Sequence, residues 1–454
     1  MSNPQSKYVI DTSDGLLTDA FGDNVEEIFS NLRPEVPLVV FFHGALVDRP
    51  VGLKYADDLR QVFADRGDHI AYVYDSDVMR ELLKASAELL SRNLVAQILS
   101  KVSGAIGGAL TPVFGMEAQD PEEQLKAEIE QDGVIREELK AFVRNDRAAI
   151  AFSALEGEAP LSPEDSIRAR VDASIAAALT PEDAPRNGLG FGIALDWRAL
   201  LGQAALRAVA IYRAVRARQD AGRDHGLPQT VIEEVVRAFV LVPQIWSTIK
   251  AEVGTSFSNK PKAAGTKLVA ALVREQEQNP DRMIYLVGHS TGAIYVANTI
   301  LAAKELGATG KFHVRLLAGA ATMSLYARLF READALVGSI RTYGLGDEKW
   351  EREERLFNIG QIPVPAIKNL YVGSLLYMVS GALEDVADQP LVGMERFFTL
   401  PEESLRPREK ADVKLVRSKI KDRVWSKVES KPGSTAEGHG GFPRDKATQE
   451  GLLD

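Results

Sequence analysis

The segment "LVGHSTGAIY", residues 286–295, sets Ser290 between two glycines, Gly288 and Gly292. Gly-x-Ser-x-Gly is a short pattern that gains chemical meaning only when a buried strand precedes it and a helix follows. The sequence supplies both. "RMIYLVG" (282–288) is an apolar run of the kind that forms a buried strand, and "TGAIYVANTILAAKEL" (291–306) reads as a helix of small and apolar residues. A serine on so sharp a turn projects its hydroxyl into the crevice at the carboxyl end of a sheet. There it lies beside the free N–H groups of a helix N-terminus, which favour developing negative charge. Gly288 and Gly292 are required because a Cβ at either position would crowd the adjoining strand or helix. The alternative is an ordinary turn, with Ser290 acting only as a helix cap.

A serine alcohol becomes a nucleophile when a base takes its proton, and histidine is the usual base. The chain has six. His289 adjoins the serine, so its side chain points elsewhere. His43 closes an early strand, His69 and His313 open strands at the opposite sheet edge, and His225 falls in a helical region. His439, in "EGHGGF", lies in a flexible, glycine-flanked loop after the last expected strand and is the candidate base; a surface-loop histidine would look the same. The imidazole needs a carboxylate to fix its tautomer. Asp347, in "TYGLGDEKW", falls at the same sheet edge as Ser290, with Glu348 as its substitute and Asp75 or Asp77 behind it. For an oxyanion, "HGAL" offers Gly44 and the backbone N–H of Ala45, and the N–H of Thr291 completes the pair. Each such donor is worth about 3 kcal/mol of barrier. His43 suits a brace for this loop better than a reactive group.

The elements that must position these groups follow an α/β rhythm. "PLVVFFHGAL" (37–46) and "HIAYVYDSD" (69–77) contain strands of the type buried on both faces, separated by a helix over 52–67. From 78 to 262 strand-like runs vanish. Stripes such as Trp197, Leu201, Ala204, Ala208, Ile211 and Val215 recur at helical spacing. A second stripe, 232–249, contains Pro243, which should kink it. The rhythm resumes with a helix over 265–278, strands at 312–321 and 339–347, a helix at 323–336 and a last strand near 422–430. No internal repeat is evident.

At 454 residues the chain exceeds the roughly 250–300 that one core supports, so a main domain with a large insertion is expected. The net charge of −10 argues against binding to a nucleic-acid backbone or an anionic membrane. With no cysteine, disulfides, thiolate catalysis and cysteine metal sites are excluded. The N-terminus lacks the cationic and apolar regions of a signal peptide, and no apolar run reaches about 18 residues. A cytoplasmic protein without stable membrane insertion is expected.

The order Ser290, Asp347, His439, with "HGAL" upstream and "GHSTG" at the elbow, resembles the α/β-hydrolase superfamily, its serine esterases and lipases above all. The resemblance covers roughly 37–77 and 265–454. It implies an α/β fold with a mostly parallel sheet, residues 1–77 and 263–454 forming the core and 78–262 a helical cap or lid. Position by position, Ser290 looks like the nucleophile, His439 the general base, Asp347 the orienting acid, and Ala45 and Thr291 the oxyanion donors, supported by His43, Gly44, Gly288 and Gly292. There is no His-Gly-Gly-Gly run, so the hormone-sensitive-lipase branch is not supported. Serine at the elbow separates the chain from dehalogenases and epoxide hydrolases, which use aspartate. The implied activity is hydrolysis of carboxylic esters through an acyl-enzyme, on an apolar small-molecule or lipid substrate, with no metal and no cofactor. A lipase or phospholipase working at lipid interfaces is one alternative; a catalytically silent hydrolase-fold binding protein is the other.

Overall fold

The computed structural model describes residues 4–45, 47, 49–74, 88–90, 92–109, 120–144, 171, 175, 178–179, 197–239, 242–347, 371–426 and 433–454. Its centre is an eight-stranded sheet: β1 (Val9–Ser13), β2 (Leu16–Leu17), β3 (Leu38–Phe42), β4 (Asp68–Tyr74), β5 (Ile284–His289), β6 (Phe312–Leu317), β7 (Val337–Leu345) and β8 (Asp422–Ser426). The spatial order is β2-β1-β4-β3-β5-β6-β7-β8. Every pairing is parallel except that of β1 with β2. The fold is therefore α/β with a mostly parallel sheet.

Every residue of β3 and β5 is buried, as expected of strands covered on both faces. Phe41 pairs with Val287 and Phe42 with Gly288 in the shared register. β3 has β4 on one side and β5 on the other, so the strand order changes direction here. The crevice at the carboxyl ends of such a pair is where open α/β sheets bind ligands. The helix Gly292–Glu305 leaves β5 and packs back against it and β3, while Arg49–Phe63 covers β4.

Between β4 and β5 the described elements are all helical: Asn93–Ala109, Pro121–Gln131, Gly133–Arg144, Trp197–Asp220, Leu227–Phe239, Val242–Ser256 and Ala264–Gln278. Trp197–Asp220 packs against the other four that precede Val242. The kinked helix expected over 232–249 is instead two helices, with Pro243 the second residue of Val242–Ser256. A first helical turn has no carbonyl for a proline's missing N–H to meet, so a proline at this position suits a helix start. Their apolar faces belong to the same contiguous core as the sheet. Among the described residues no helix is long and apolar enough to cross a membrane.

The C-terminal segment closes the sheet from below. Leu453 accepts from the Tyr285 hydroxyl at 2.9 Å, Leu452 from Arg315 Nε at 3.0 Å, and Gly451 from Arg341 and Tyr343 at 2.9 and 3.0 Å, all through backbone carbonyls.

Candidate functional site

Ser290 follows β5 with a φ of 54°, one of four non-glycine residues in the left-handed region among those described. Such a backbone costs on the order of 1–3 kcal/mol and persists only where its surroundings over-determine it. Here they do. The Ser290 amide donates to the Leu317 carbonyl at 2.8 Å, and the Ser290 carbonyl accepts from Ala320 at 2.8 Å and Ala293 at 3.1 Å. Close packing allows no side chain around it. A Cβ on Gly292 would lie 2.2 Å from the Phe42 carbonyl oxygen, and one on Gly288 would lie 2.7 Å from Gly292 backbone. A Cβ on Gly44 would meet Ser290 Cβ at 2.7 Å and His289 Nδ1 at 2.9 Å. The "HGAL" loop thus rests directly on the elbow, although the two segments are far apart in the chain.

That contact is tied by hydrogen bonds. The Ala45 amide donates to Thr291 Oγ1 at 2.8 Å, and Thr291 Oγ1 lies 2.7 Å from the Tyr74 hydroxyl. Tyr74 in turn donates to the His43 carbonyl. With one proton per hydroxyl, the chain runs Ala45 N–H to Thr291, Thr291 to Tyr74, and Tyr74 to His43. The Ala45 amide, expected to face an oxyanion, is committed to a side chain instead. The Thr291 amide opens the helix Gly292–Glu305, where the first N–H groups have no helical acceptor.

His43 is fully enclosed and stacks on Tyr74 with ring centroids 4.1 Å apart. Its Nδ1 faces the Gly44 carbonyl at 2.8 Å and its Nε2 accepts from the Tyr74 amide at 3.0 Å, which fixes the Nδ1–H tautomer. Burial pulls its pKa down to about 4, so it is a neutral brace. Sequence reasoning did not single out Tyr74. The signal was its place at the end of "HIAYVY", level with the loop it supports.

His439 does not occupy a flexible loop. It is 3 % exposed and opens the short 3-10 helix His439–Arg444, which Phe442 anchors in the core. The stretch before it is organised by the Asp445 carboxylate, which accepts from the Ser434 hydroxyl, the Thr435 amide and the Thr448 amide. His289 Nε2 lies 2.9 Å from the His439 carbonyl, and the two imidazoles sit 5.3 Å apart. Burial drives the His439 pKa well below its ordinary value, and the nearby His289 adds to this. The Ser290 hydroxyl, 1 % exposed, meets no hydrogen-bond partner among the described residues, so no bond joins it to the His439 ring.

Asp347 stands two residues past β7. Its carboxylate accepts from the Tyr377 hydroxyl, and its amide donates to Glu395 Oε2 at 2.8 Å. Neither partner was anticipated. Asp75, Asp77 and Glu348, the substitute acids, lie outside the described residues. The structure thus brings Ser290, Thr291, Gly44, Ala45, His43, His289 and His439 to one place at the crevice between β3 and β5. Asp347 occupies the carboxyl end of β7 within a separate group of polar side chains. Comparison with known proteins supplies no relative: no family model, no curated protein and no solved structure matches this chain.

Proposed function

We propose that the chain is a serine hydrolase of the α/β-hydrolase type that cleaves carboxylic esters of apolar substrates through an acyl-enzyme. The observation that carries the reading is Ser290 itself. It is a strained residue at the carboxyl end of a central strand, on a helix N-terminus, with a buried hydroxyl that nothing described engages. In this reading Ser290 Oγ attacks the ester carbonyl while His439 takes its proton, and Asp347 orients the imidazole. With its pKa depressed by burial, His439 is neutral at pH 7 but a weak acceptor, so the imidazolium it forms needs the Asp347 carboxylate for stabilisation. The tetrahedral oxyanion rests on the amides of Thr291 and Ala45, the latter after exchanging its bond to Thr291 Oγ1. His439 then protonates the leaving alcohol, and water, activated by the same imidazole, releases the acid. The step requires His439 to turn onto Ser290 and to meet Asp347, whose carboxylate accepts from the Tyr377 hydroxyl in this structure.

The experiment is exposure to a fluorophosphonate probe and to short-chain p-nitrophenyl esters. Labelling at Ser290, with turnover that Ser290→Ala abolishes, is the expected result; neither in the wild type ends the reading. The burial of Ser290 favours an interfacial variant, in which lid movement over aggregated lipid opens the site. A rate jump above the critical micelle concentration distinguishes it. The engaged Ala45 amide and the missing Ser290–His439 bond favour a catalytically silent binding protein, which would neither label nor turn over ester.

A further inference from the structure

A buried carboxylate that the proposed chemistry leaves unused stands two strands from the elbow. Asp11, 1 % exposed, lies in β1 level with Val73 of β4, and the next pair along is Thr12 with Tyr74. Tyr74 is the residue that braces His43. A carboxylate is costly to bury unless hydrogen-bond donors meet it. Asp11 has three. Arg49 donates from Nε to Oδ1 and from Nη2 to Oδ2, each at 2.8 Å, and the Thr18 hydroxyl donates to Oδ2.

Arg49 comes four residues after Ala45 and opens the helix Arg49–Phe63. Two parallel bonds to one carboxylate fix the plane of the guanidinium as well as its distance, which a lysine in its place could not do. The guanidinium carbon also stands 5.7 Å from the centroid of the Phe21 ring, within the range of cation–π attraction. The first turn of the helix then presses on the other end of the loop. A Cβ on Gly52 would lie 3.1 Å from Val73 Cγ1 and 3.3 Å from His43 Nε2. Ala56 and Leu53 of this helix join only a small apolar cluster with Tyr8, Val9, Phe21, Ala71 and Val73. Apolar packing is non-directional, so the directional constraint at this end of the helix is the fork on Asp11.

The chain from 43 to 49 therefore runs between two anchors: His43 against Tyr74, and Arg49 against Asp11. Ala45, whose amide donates to Thr291 Oγ1, lies between them. We propose that Asp11 is a positioning residue: by clamping Arg49 it sets where the Ala45 amide stands against the Ser290 turn. The consequence for turnover rests on the reading of Ala45 as an oxyanion donor.

The test uses the full chain and follows the Ala45 amide separately from turnover. Asp11→Asn keeps the size of the side chain but turns one acceptor oxygen into a donor, so the fork cannot close. Hydrogen exchange at the Ala45 amide is expected to quicken about tenfold more than at Phe41 in β3, which reports the core. On p-nitrophenyl esters kcat is expected to fall about tenfold with KM within about twofold. Arg49→Lys, which keeps the charge without the fork, should give the same pattern more mildly. Exchange that is unchanged at Ala45, or that rises equally at Phe41, reveals a purely structural pair and overturns the proposal. So does an unchanged kcat in Asp11→Asn when the wild type turns over ester. Should Asp11→Asn fail to fold, Arg49→Lys decides by the same readings. If the wild type labels at no serine, the consequence for turnover falls with the hydrolase reading, and the exchange rates still decide whether Asp11 places Ala45.

Discussion

His289 donates from Nε2 to the backbone carbonyl of His439 across 2.9 Å, joining the turn that carries Ser290 to the segment that carries the candidate base. The bond leaves Nδ1 of His289 as the unprotonated nitrogen, turned toward Gly44. Burial lowers the pKa of His289 to about 4, so the donor geometry is that of a neutral ring. His289 therefore sets where residue 439 sits without being able to replace it.

Gly44→Ala should separate folding from activity. The new Cβ would come within 3 Å of both Ser290 Cβ and His289 Nδ1, so the loop has to move away from the elbow. The expected cost is about 1–3 kcal/mol of stability. Phosphonate labelling of the folded fraction should drop far more than the thermal midpoint suggests. Wild-type labelling in this variant would mean the loop is not part of the site.

Thr291→Val removes the hydroxyl that accepts from Ala45 and donates to Tyr74. Two buried polar groups lose a partner, at roughly 1–3 kcal/mol each. Thr291→Ser, which keeps the hydroxyl, should sit near wild type. Denaturant midpoints for the three proteins check the ranking, and equal midpoints for the valine and serine forms would refute it.

Stability should fall in acid. His43 and His289 have folded-state pKa values near 4 and His69 near 3, all depressed first of all by burial. Each takes up its proton more readily when unfolded, where its pKa is about 6.5. The unfolded state thus binds more protons between these limits, so stability is full above about pH 6.5 and is lost as pH falls toward 4. The loss is on the order of 3 kcal/mol per histidine. Thermal midpoints from pH 8 to 4 test this: a flat profile contradicts it, and His69→Gln should flatten part of the slope.

Arg282→Met should destabilise without touching the chemistry. Arg282 is buried at the amino-terminal edge of the sheet, where it holds Asp68 and Glu275 at 2.7 Å each. Its loss takes a cation from each carboxylate, leaving Arg33 on Asp68 and the Asn279 amide on Glu275, at about 3 kcal/mol. Labelling per folded molecule should be unchanged, because Ser290 lies at the other end of β5. A loss of labelling without a loss of stability would show that the two edges are coupled.

What the sequence revealed of this protein follows the strength of its local patterns. β3 to β8 lie within or overlap the runs expected for them, because "LVVFF" and "IYLVG" suit nothing but enclosed strands. The β1–β2 hairpin went unnoticed. Its second strand has two residues, and its turn, Asp14 and Gly15, has positive φ at both positions, a signal present in "DTSDGLL" but too short to outweigh its surroundings. The glycines of the elbow were legible because steric demand acts on neighbours in sequence. The Tyr74–Thr291–Ala45 chain and the Tyr377–Asp347 bond were not, since each joins residues that only the fold makes adjacent. His439 was placed correctly after the last strand but wrongly in a flexible loop. The anchoring of Asp445 and Phe442 depends on contacts that no run of glycines advertises.

The carbonyls of residues 451–453, fastened to Tyr285, Arg315, Arg341 and Tyr343, impose an order on assembly. Residues 284–345 leave the ribosome before residues 439–453, so the sheet from β1 to β7 can form first, and the segment bearing His439 docks only once residues 451–453 reach their partners. A nascent chain would therefore hold the strained Ser290 turn before His439 stands beside His289.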